Sequence, residues 1–288
     1  MFNVQCLMIG RLVSLVASGC LSLGLATTAQ AESTLAKIQR TGVLSVAIRE
    51  DAAPFGYLDA NNNLQGYCLD FFALLETQLI KKLSRNSLSV KLLKSSPGNR
   101  FRLVSQKIID LECGPNTIRE DVSPDIDFSS GFFVTGTQFL VRQNHQLDLD
   151  NNLENRRVGI IANTSTEEFV IQRYPSATIK RYRGVTARDR GIEAVERGKI
   201  DAMISDGILL RAKAQQLGLS ATEYPLIPDV PLTCDRYGMI IRSQDPQWQD
   251  FVNSVIDSPE AAAIASNWFG SLFNYAQSDP EQCSSRVN

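Results

Sequence analysis

The chain reads as an α/β protein built in two lobes, and three observations point there. Short runs of β-branched and aliphatic residues alternate with stretches whose apolar residues recur every three or four positions. The alternation runs through once, breaks at the polar stretch "QNHQLDLDNN", and starts again. Near the end, "YGMIIR" matches "TQFLVR" in period and length, so the last part of the chain is expected to turn back toward the first lobe.

The elements follow in order. "VLSVAI" (43–48) predicts a strand, and residues 67–83 a helix with Leu69, Phe72, Leu75 and Leu79 at helical spacing. "LSVKLL" (88–93) predicts a second strand, 99–108 a short amphipathic helix, and "IIDLECG" (108–114) a third strand ending in a Gly-Pro-Asn-Thr turn. "TQFLVR" (137–142) is another strand. The second round gives "RRVGIIA", "ATIKRYR" and "KIDAMIS" as strands, with "STEEFVIQRY", "ARDRGIEAVERG" and "DGILLRAKAQQLG" as helices between and after them. A helical tail, "PQWQDFVNSVI" and "EAAAIASNWFG", closes the chain. The expected division is residues 32–140 for the first lobe, 141–236 for the second, and 237–288 for the return and the C-terminal helices.

The first thirty-one residues stand apart. Arg11 is their only positive charge, and "RLVSLVASGCLSLGLA" is an apolar run of about sixteen residues, short of the roughly twenty that span a bilayer. Ala29-Gln30-Ala31 has the small-x-small form of a signal-peptidase site, so residues 1–31 are read as a cleaved secretory signal. A retained anchor is the alternative. A lipid anchor through Cys20 fits less well, since Ala17-Ser18-Gly19 lacks the leucine such sites carry.

Export gives the cysteines their meaning. Cys68, Cys113, Cys234 and Cys283 remain after the signal, and an oxidising compartment permits up to two disulfides in any of three full pairings, or inert buried thiols. Their spacing matches no zinc pattern and the chain has one histidine, so no metal is expected. A formal net charge of −2 argues against nucleic acid as a partner. In open α/β sheets, small ligands bind in the crevice at the C-terminal ends of strands.

Six stretches, in order, carry a family resemblance: "REDAAPFGYLD", "LQGYCLDF", "NRFRLVSQKIIDLECG", "DFSSGFFVTGTQFLVR", "VGIIANTSTEEF" and "ERGKIDAMISDGILL". Over residues 35–275 the chain resembles the periplasmic amino-acid-binding proteins of ABC importers (solute-binding protein family 3), within them the glutamate/aspartate-binding branch. The resemblance implies the two-lobed periplasmic-binding-protein fold, each lobe a mixed sheet flanked by helices, joined by two crossing hinge strands. It also implies a periplasmic monomer that closes over an acidic amino acid, glutamine being a further possibility, and delivers it to membrane permease subunits without a cofactor.

The resemblance also assigns candidate ligand-binding residues, each with a plain structural alternative. Asp206 matches the aspartate that takes the ligand's α-ammonium, but its place before "GILLRAKAQQ" equally suits a helix N-cap. Thr164 and Ser165 match hydroxyl residues that contact a ligand carboxylate at a helix start, yet "TSTEE" also reads as a capping box. Asn163 replaces the usual glycine there, and asparagine tolerates the left-handed region. Arg49, Arg100 and Arg188 match basic positions of the acidic branch, and a planar guanidinium suits a bidentate grip on carboxylate. Their alternative is a surface position, or an ion pair between lobes with Glu50, Asp51 or Asp189.

Two departures concern the α-carboxylate. The arginine the family places about five residues before "DFS" is missing; Arg119 lies eight residues before Asp127 and is assigned the task, with Thr117 adding a hydroxyl or N–H. A solvated Arg119 paired with Glu120 or Asp121 is the alternative. Pro115 replaces a serine and removes two donors. Ala52 stands where relatives carry a stacking aromatic, and Phe55 and Tyr57 are read as lobe core and cleft wall. His145 falls in the polar stretch and no catalytic motif appears, so an enzyme is not expected; a dehydratase-like enzyme and a ligand-sensing domain are the alternatives.

Overall fold

The computed structural model describes residues 32–270 except 144 and 146. The expected signal segment 1–31 and Cys283 lie outside the described residues. In chain order, the first stretch runs α1 (Thr34–Thr41), β1 (Val43–Arg49), β2 (Asp51–Ala52), β3 (Gly56–Leu58), β4 (Leu64–Gln65), α2 (Tyr67–Lys82), β5 (Ser89–Ser95), α3 (Arg100–Ser105), β6 (Leu111–Cys113) and β7 (Ile126–Phe128). Then follow β8 (Phe133–Thr135), β9 (Thr137–Leu140), β10 (Arg157–Ile161), α4 (Ser165–Arg173), β11 (Thr178–Tyr182), α5 (Ala187–Glu196), β12 (Ala202–Asp206), α6 (Gly207–Gln216) and β13 (Leu226–Ile227). The last stretch holds β14 (Asp235–Tyr237), β15 (Ile240–Arg242), α7 (Pro246–Ile256) and α8 (Pro259–Phe269).

Two mixed sheets organise these elements, in the orders β5-β1-β6-β15-β7 and β11-β10-β12-β9-β13. Within each, the first three strands pair in parallel and the fourth pairs antiparallel with both of its neighbours. The central strands are buried on both faces, which is why β1 reads as a near-continuous apolar run. Between the sheets lie β8 and β14, an antiparallel pair that forms the two crossings. Their approach is close: a Cβ on Gly136 would stand 1.9 Å from the Thr233 carbonyl oxygen, so only glycine fits.

The strand Thr137–Leu140 corrects the expected boundary. It pairs antiparallel with β12 and belongs to the second sheet, so the chain crosses at Phe133–Thr135, ahead of it. Its four residues, Thr-Gln-Phe-Leu, are all buried, and nothing in so short a strand marks which sheet it joins. The return is observed where β15 pairs with β6 and β7. The short strands β2, β3 and β4 and the helix α1 were not read from sequence, being brief or weakly apolar.

The first lobe packs around Phe55, whose ring centre lies 5.2–6.1 Å from those of Phe132, Phe133, Tyr237 and Phe269. Ile208 and Leu209 of α6 join this cluster from the second lobe. Cys68 of α2 and Cys113 at the end of β6 form a disulfide, with Cα atoms 5.7 Å apart, and Cys234 is disulfide-bonded as well. No described helix is long and apolar enough to cross a membrane.

The Cys68–Cys113 bond closes a 45-residue separation in sequence. Replacing both cysteines by alanine is expected to lower stability by about 2–4 kcal/mol, read by denaturant unfolding under oxidising conditions.

Candidate functional site

The parallel ladder of the first sheet delivers polar residues to one edge. Arg49 ends β1 beside Ser95, which ends β5, while Glu112 and Cys113 lie opposite Ala47 and Ile48. The turn after β5 then starts α3 at Arg100. This is the strand-end crevice where ligands collect in such sheets.

Arg49 is 3% exposed and forms a bidentate ion pair with Asp51, Nε to Oδ1 at 2.6 Å and Nη2 to Oδ2 at 2.8 Å. Burial opposes both charges, but each partner outweighs it: the Arg49 pKa stays above its ordinary value and that of Asp51 below. Both groups are therefore charged. Glu112, fully buried beside them, accepts from the Ser95 hydroxyl and from Asn116 Nδ2, each at 2.6 Å. Burial still pushes its carboxyl up.

Arg100 reaches toward the second lobe. Its Nη1 donates to the Pro97 carbonyl and, at 3.3 Å, to that of Asn163, and its guanidinium lies 4.4 Å over the Phe101 ring. Its Nε is buried with no hydrogen-bond partner among the described residues. Burial, and then the charge of Arg49, push its pKa down to about 10, so it stays charged at neutral pH.

The second lobe supplies the other wall from the ends of β10 and β12. Thr164 is the N-cap of α4: its Oγ1 accepts from the Glu167 N–H at 3.2 Å and donates to the Ile161 carbonyl at 2.8 Å. Asn163 before it has φ 64°, the left-handed conformation that asparagine tolerates. Arg188, in the first turn of α5 and 3% exposed, donates from Nη1 to the Asp51 carbonyl of the first lobe at 2.6 Å. Its Nε is also buried without a partner among the described residues. Burial lowers its pKa as well, Asp51 offsetting only part.

Asp206 stands at the N-cap position of α6 but its carboxylate does not cap the helix. It accepts instead from Thr166 Oγ1 at 3.1 Å and from the Tyr237 hydroxyl at the end of β14. Burial raises its pKa. Asp235, also on β14, accepts from Thr233 Oγ1 at 2.5 Å and Thr117 Oγ1 at 3.3 Å. Burial and then the charge of Asp206 push it up to about 7.

The lobes touch across this cleft. Thr117 Oγ1 lies 3.1 Å from Ser165 Oγ, and Arg119 Nη1 pairs with Glu168 Oε2 at 2.5 Å. The enclosed cavity is about 30 Å³, and it is lined by all eight residues singled out from sequence: Arg49, Arg100, Thr117, Arg119, Thr164, Ser165, Arg188 and Asp206. That volume holds only a water or two.

Several expectations change in detail. Arg49 is engaged by Asp51, one of the ion-pair partners the sequence offered, but within the first lobe and not between lobes. Arg119 is partnered across the cleft by Glu168, with Asp121 at 3.5 Å, so its charge is largely answered within the protein. Phe55 is core as expected, whereas Tyr57 packs edge-on to Trp268 and lines a neighbouring groove. Ala52 is fully buried in the first core. Sequence reading missed Thr166, Asp235 and Tyr237; Tyr237 and Asp235 are placed by the β8–β14 crossing, and nothing local in "TCDRY" announces it. Among the described residues, no group of three His, Cys, Asp or Glu is placed to hold a metal ion.

Residues 44–271 match the model of the bacterial extracellular solute-binding proteins, family 3. The chain belongs to this family. It is 30% identical to the glutamate/aspartate import solute-binding protein of Escherichia coli over 88% of this chain and 85% of that one. It is 27% identical to the L-glutamate/L-aspartate-binding protein of Pseudomonas aeruginosa, covering 82% and 80%. In fold it is similar to a reconstructed ancestral amino acid-binding protein that is a precursor of cyclohexadienyl dehydratase (TM-score 0.69, 21% identity, 82% of this chain and 99% of that one). It is likewise similar to the holo form of ArgBP from T. maritima (TM-score 0.65, 22% identity, 81% and 98%). The chain is thus an amino-acid solute-binding protein of family 3.

The hinge carboxylate has a consequence for stability. A carboxyl with a raised folded pKa binds its proton more tightly folded than unfolded, so stability falls as pH rises from about 4, its unfolded value, to about 7. The ligand-free Asp235→Asn variant should lose less melting temperature between pH 5 and 7.5 than wild type, measured by calorimetry. The Arg119–Glu168 pair spans the lobes outside the guanidinium cluster. Glu168→Gln is expected to weaken a neutral amino acid by a factor of about 2–5, the scale of a part-exposed ion pair, and to cost an acidic one less, because Arg119 then lacks its carboxylate partner, both read by titration calorimetry.

Proposed function

We propose that the protein binds an acidic amino acid, glutamate or aspartate, in the interlobe cleft and hands it to the permease of an ABC importer. One observation carries this reading. Arg49, Arg100 and Arg188 are buried together, Asp51 is the carboxyl beside them whose pKa is lowered while those of Glu112 and Asp206 are raised by burial, and Nε of Arg100 and of Arg188 has no acceptor among the described residues. Uncompensated buried cations are costly unless a bound anion answers them. The printed names of the relatives from E. coli and P. aeruginosa support the same ligand class.

In this reading each ligand group has a physical partner. Asp206, held by Thr166 and Tyr237, takes the α-ammonium. The start of α4, with Ser165 and the facing Thr117, takes the α-carboxylate through hydroxyls and the unpaired N–H groups of a helix N-terminus. Arg100 and Arg188 take the side-chain carboxylate, with Arg49 behind them, and Arg119 closes the rim on Glu168. The open protein docks its ligand on the first lobe; the second lobe then swings in about the β8–β14 crossing, and the permease subunits recognise the closed form.

The function is binding and not turnover. This reading rests on the relatives, whose printed names are those of binding proteins. Residues 1–31 direct export, and the protein works as a monomer in the periplasm. Glutamine is the nearest alternative ligand; it would leave a guanidinium without its anion, and that is the basis of selection against it.

A thermal-shift screen of the twenty amino acids on the mature protein tests this. Glutamate or aspartate should give the largest rise in melting temperature. A clear response to lysine or leucine with none to either acid would overturn the assignment.

A further inference from the structure

The charges around the cleft balance in a way that singles out one residue away from the cavity wall. Four arginines line the cavity. Two are answered by ionised partners, Arg49 by Asp51 and Arg119 by Glu168. Asp206, with Asp235 beyond Tyr237, faces the place of an α-ammonium. What remains for ligand carboxylates is two positive charges if Glu112 is uncharged, and one if it is ionised.

Glu112 is placed to make that difference. It is fully buried at the end of β6, and a Cβ on Gly114 would stand 3.1 Å from both its Oε1 and Arg49 Cγ, so the two side chains are immediate neighbours. The charged groups that face it are Arg49 from β1 and Arg100 from α3, with Asp51 on the Nε–Nη2 edge of Arg49; Ala47 of β1 and Ile240 of β15 lie beside it in the ladder. Neither cation makes a hydrogen bond to it. Its oxygens accept from Ser95 and Asn116 only.

Asn116 suits both states of the acid. Its Nδ2 donates to Glu112 Oε2, while its Oδ1 is buried with no partner among the described residues. Nδ2 also donates to the Gly114 carbonyl at 3.3 Å. Turning the amide over presents the oxygen to a protonated Glu112 in exchange for that weaker contact, and the Ser95 hydroxyl can accept as well as donate.

Resting on the acidic-ligand reading above, we infer that Glu112 is a specificity-determining residue: its uncharged form admits a dicarboxylate, and its ionised form favours a ligand with the α-carboxylate alone. Glu112 touches no ligand in this account and acts through Arg49 and Arg100. Burial raises its pKa, and a second carboxylate arriving beside those arginines raises it further, so glutamate binding takes up a proton at Glu112. Glutamine brings no second charge and takes up none there. Asp206 and Asp235 face the ammonium that both ligands share, so their contribution cancels between the two.

The test is calorimetric titration of L-glutamate and L-glutamine into the mature protein between pH 5.5 and 8.5, in buffers of differing ionisation enthalpy. Wild type should take up a fraction of a proton more with glutamate than with glutamine, and its glutamate-over-glutamine preference should fall as pH rises, by up to tenfold per unit. Glu112→Gln should bind glutamate with that excess uptake and pH slope gone. Equal uptake for both ligands in wild type, which needs no variant to fold, overturns the inference, as does an unchanged slope in Glu112→Gln. If glutamine does not bind, wild-type uptake on glutamate is compared with that of the variant, and equality again overturns it. A wild type that binds neither glutamate nor aspartate overturns the parent reading and this inference with it; binding glutamate without uptake overturns this inference alone.

Discussion

The buried ion pair of Arg49 with Asp51 is the interaction on which the cleft depends. It places a guanidinium at the end of β1, where an isolated charge would be expelled, and Asp51 uses its backbone oxygen to hold Arg188 of the opposite lobe. One carboxylate residue thus orients two of the three buried arginines that line the cleft. Breaking such a pair by removing one member leaves an uncompensated charge and costs about 3–5 kcal/mol, far more than an exposed pair contributes. Arg49 is therefore as much a part of the fold as of the site, and Arg100 and Arg188 hold the unengaged donors.

A second constraint comes from the hinge. Tyr237 ends the crossing strand β14, packs its ring against Phe55 and Phe133, and gives its hydroxyl to Asp206. The residue assigned to the ligand's ammonium is thereby tied to the strand about which the lobes turn. Asp235 and Thr117 form a second set of hydrogen bonds that reaches Ser165. The two sets meet through the charges of Asp206 and Asp235, and in the proposed reading this is where binding and closure would be coupled.

Much of this was legible in the sequence because it is local. The β/α alternation marks the lobes, and a strand followed by a polar turn and a helix marks the crevice, while Arg49, Arg100, Thr164 and Asp206 are named by the family resemblance of the motifs that hold them. Competing local readings separated only in three dimensions. Thr164 does cap its helix, whereas Asp206 at an equally good cap position turns away to Thr166 and Tyr237. The partners of the arginines were beyond reach for the same reason: Glu168 meets Arg119, and Tyr237 meets Asp206, only because two sheets face each other across a crossing that short apolar strands do not announce. Thr137–Leu140 was given to the wrong lobe on that account.

The central claim is that a ligand's side-chain carboxylate is held by the buried guanidiniums. A thermodynamic cycle measures it directly, with glutamate and glutamine as the two ligands and wild type and Arg100→Met as the two proteins. Arg100 makes no ion pair among the described residues, so its removal breaks none, and any change at Glu112 in the apo protein is common to both ligands. A coupling of about 1.5–3 kcal/mol between Arg100 and the side-chain carboxylate is the predicted result, the worth of a charge-assisted hydrogen bond. Equal losses for both ligands, and so no coupling, would contradict the account.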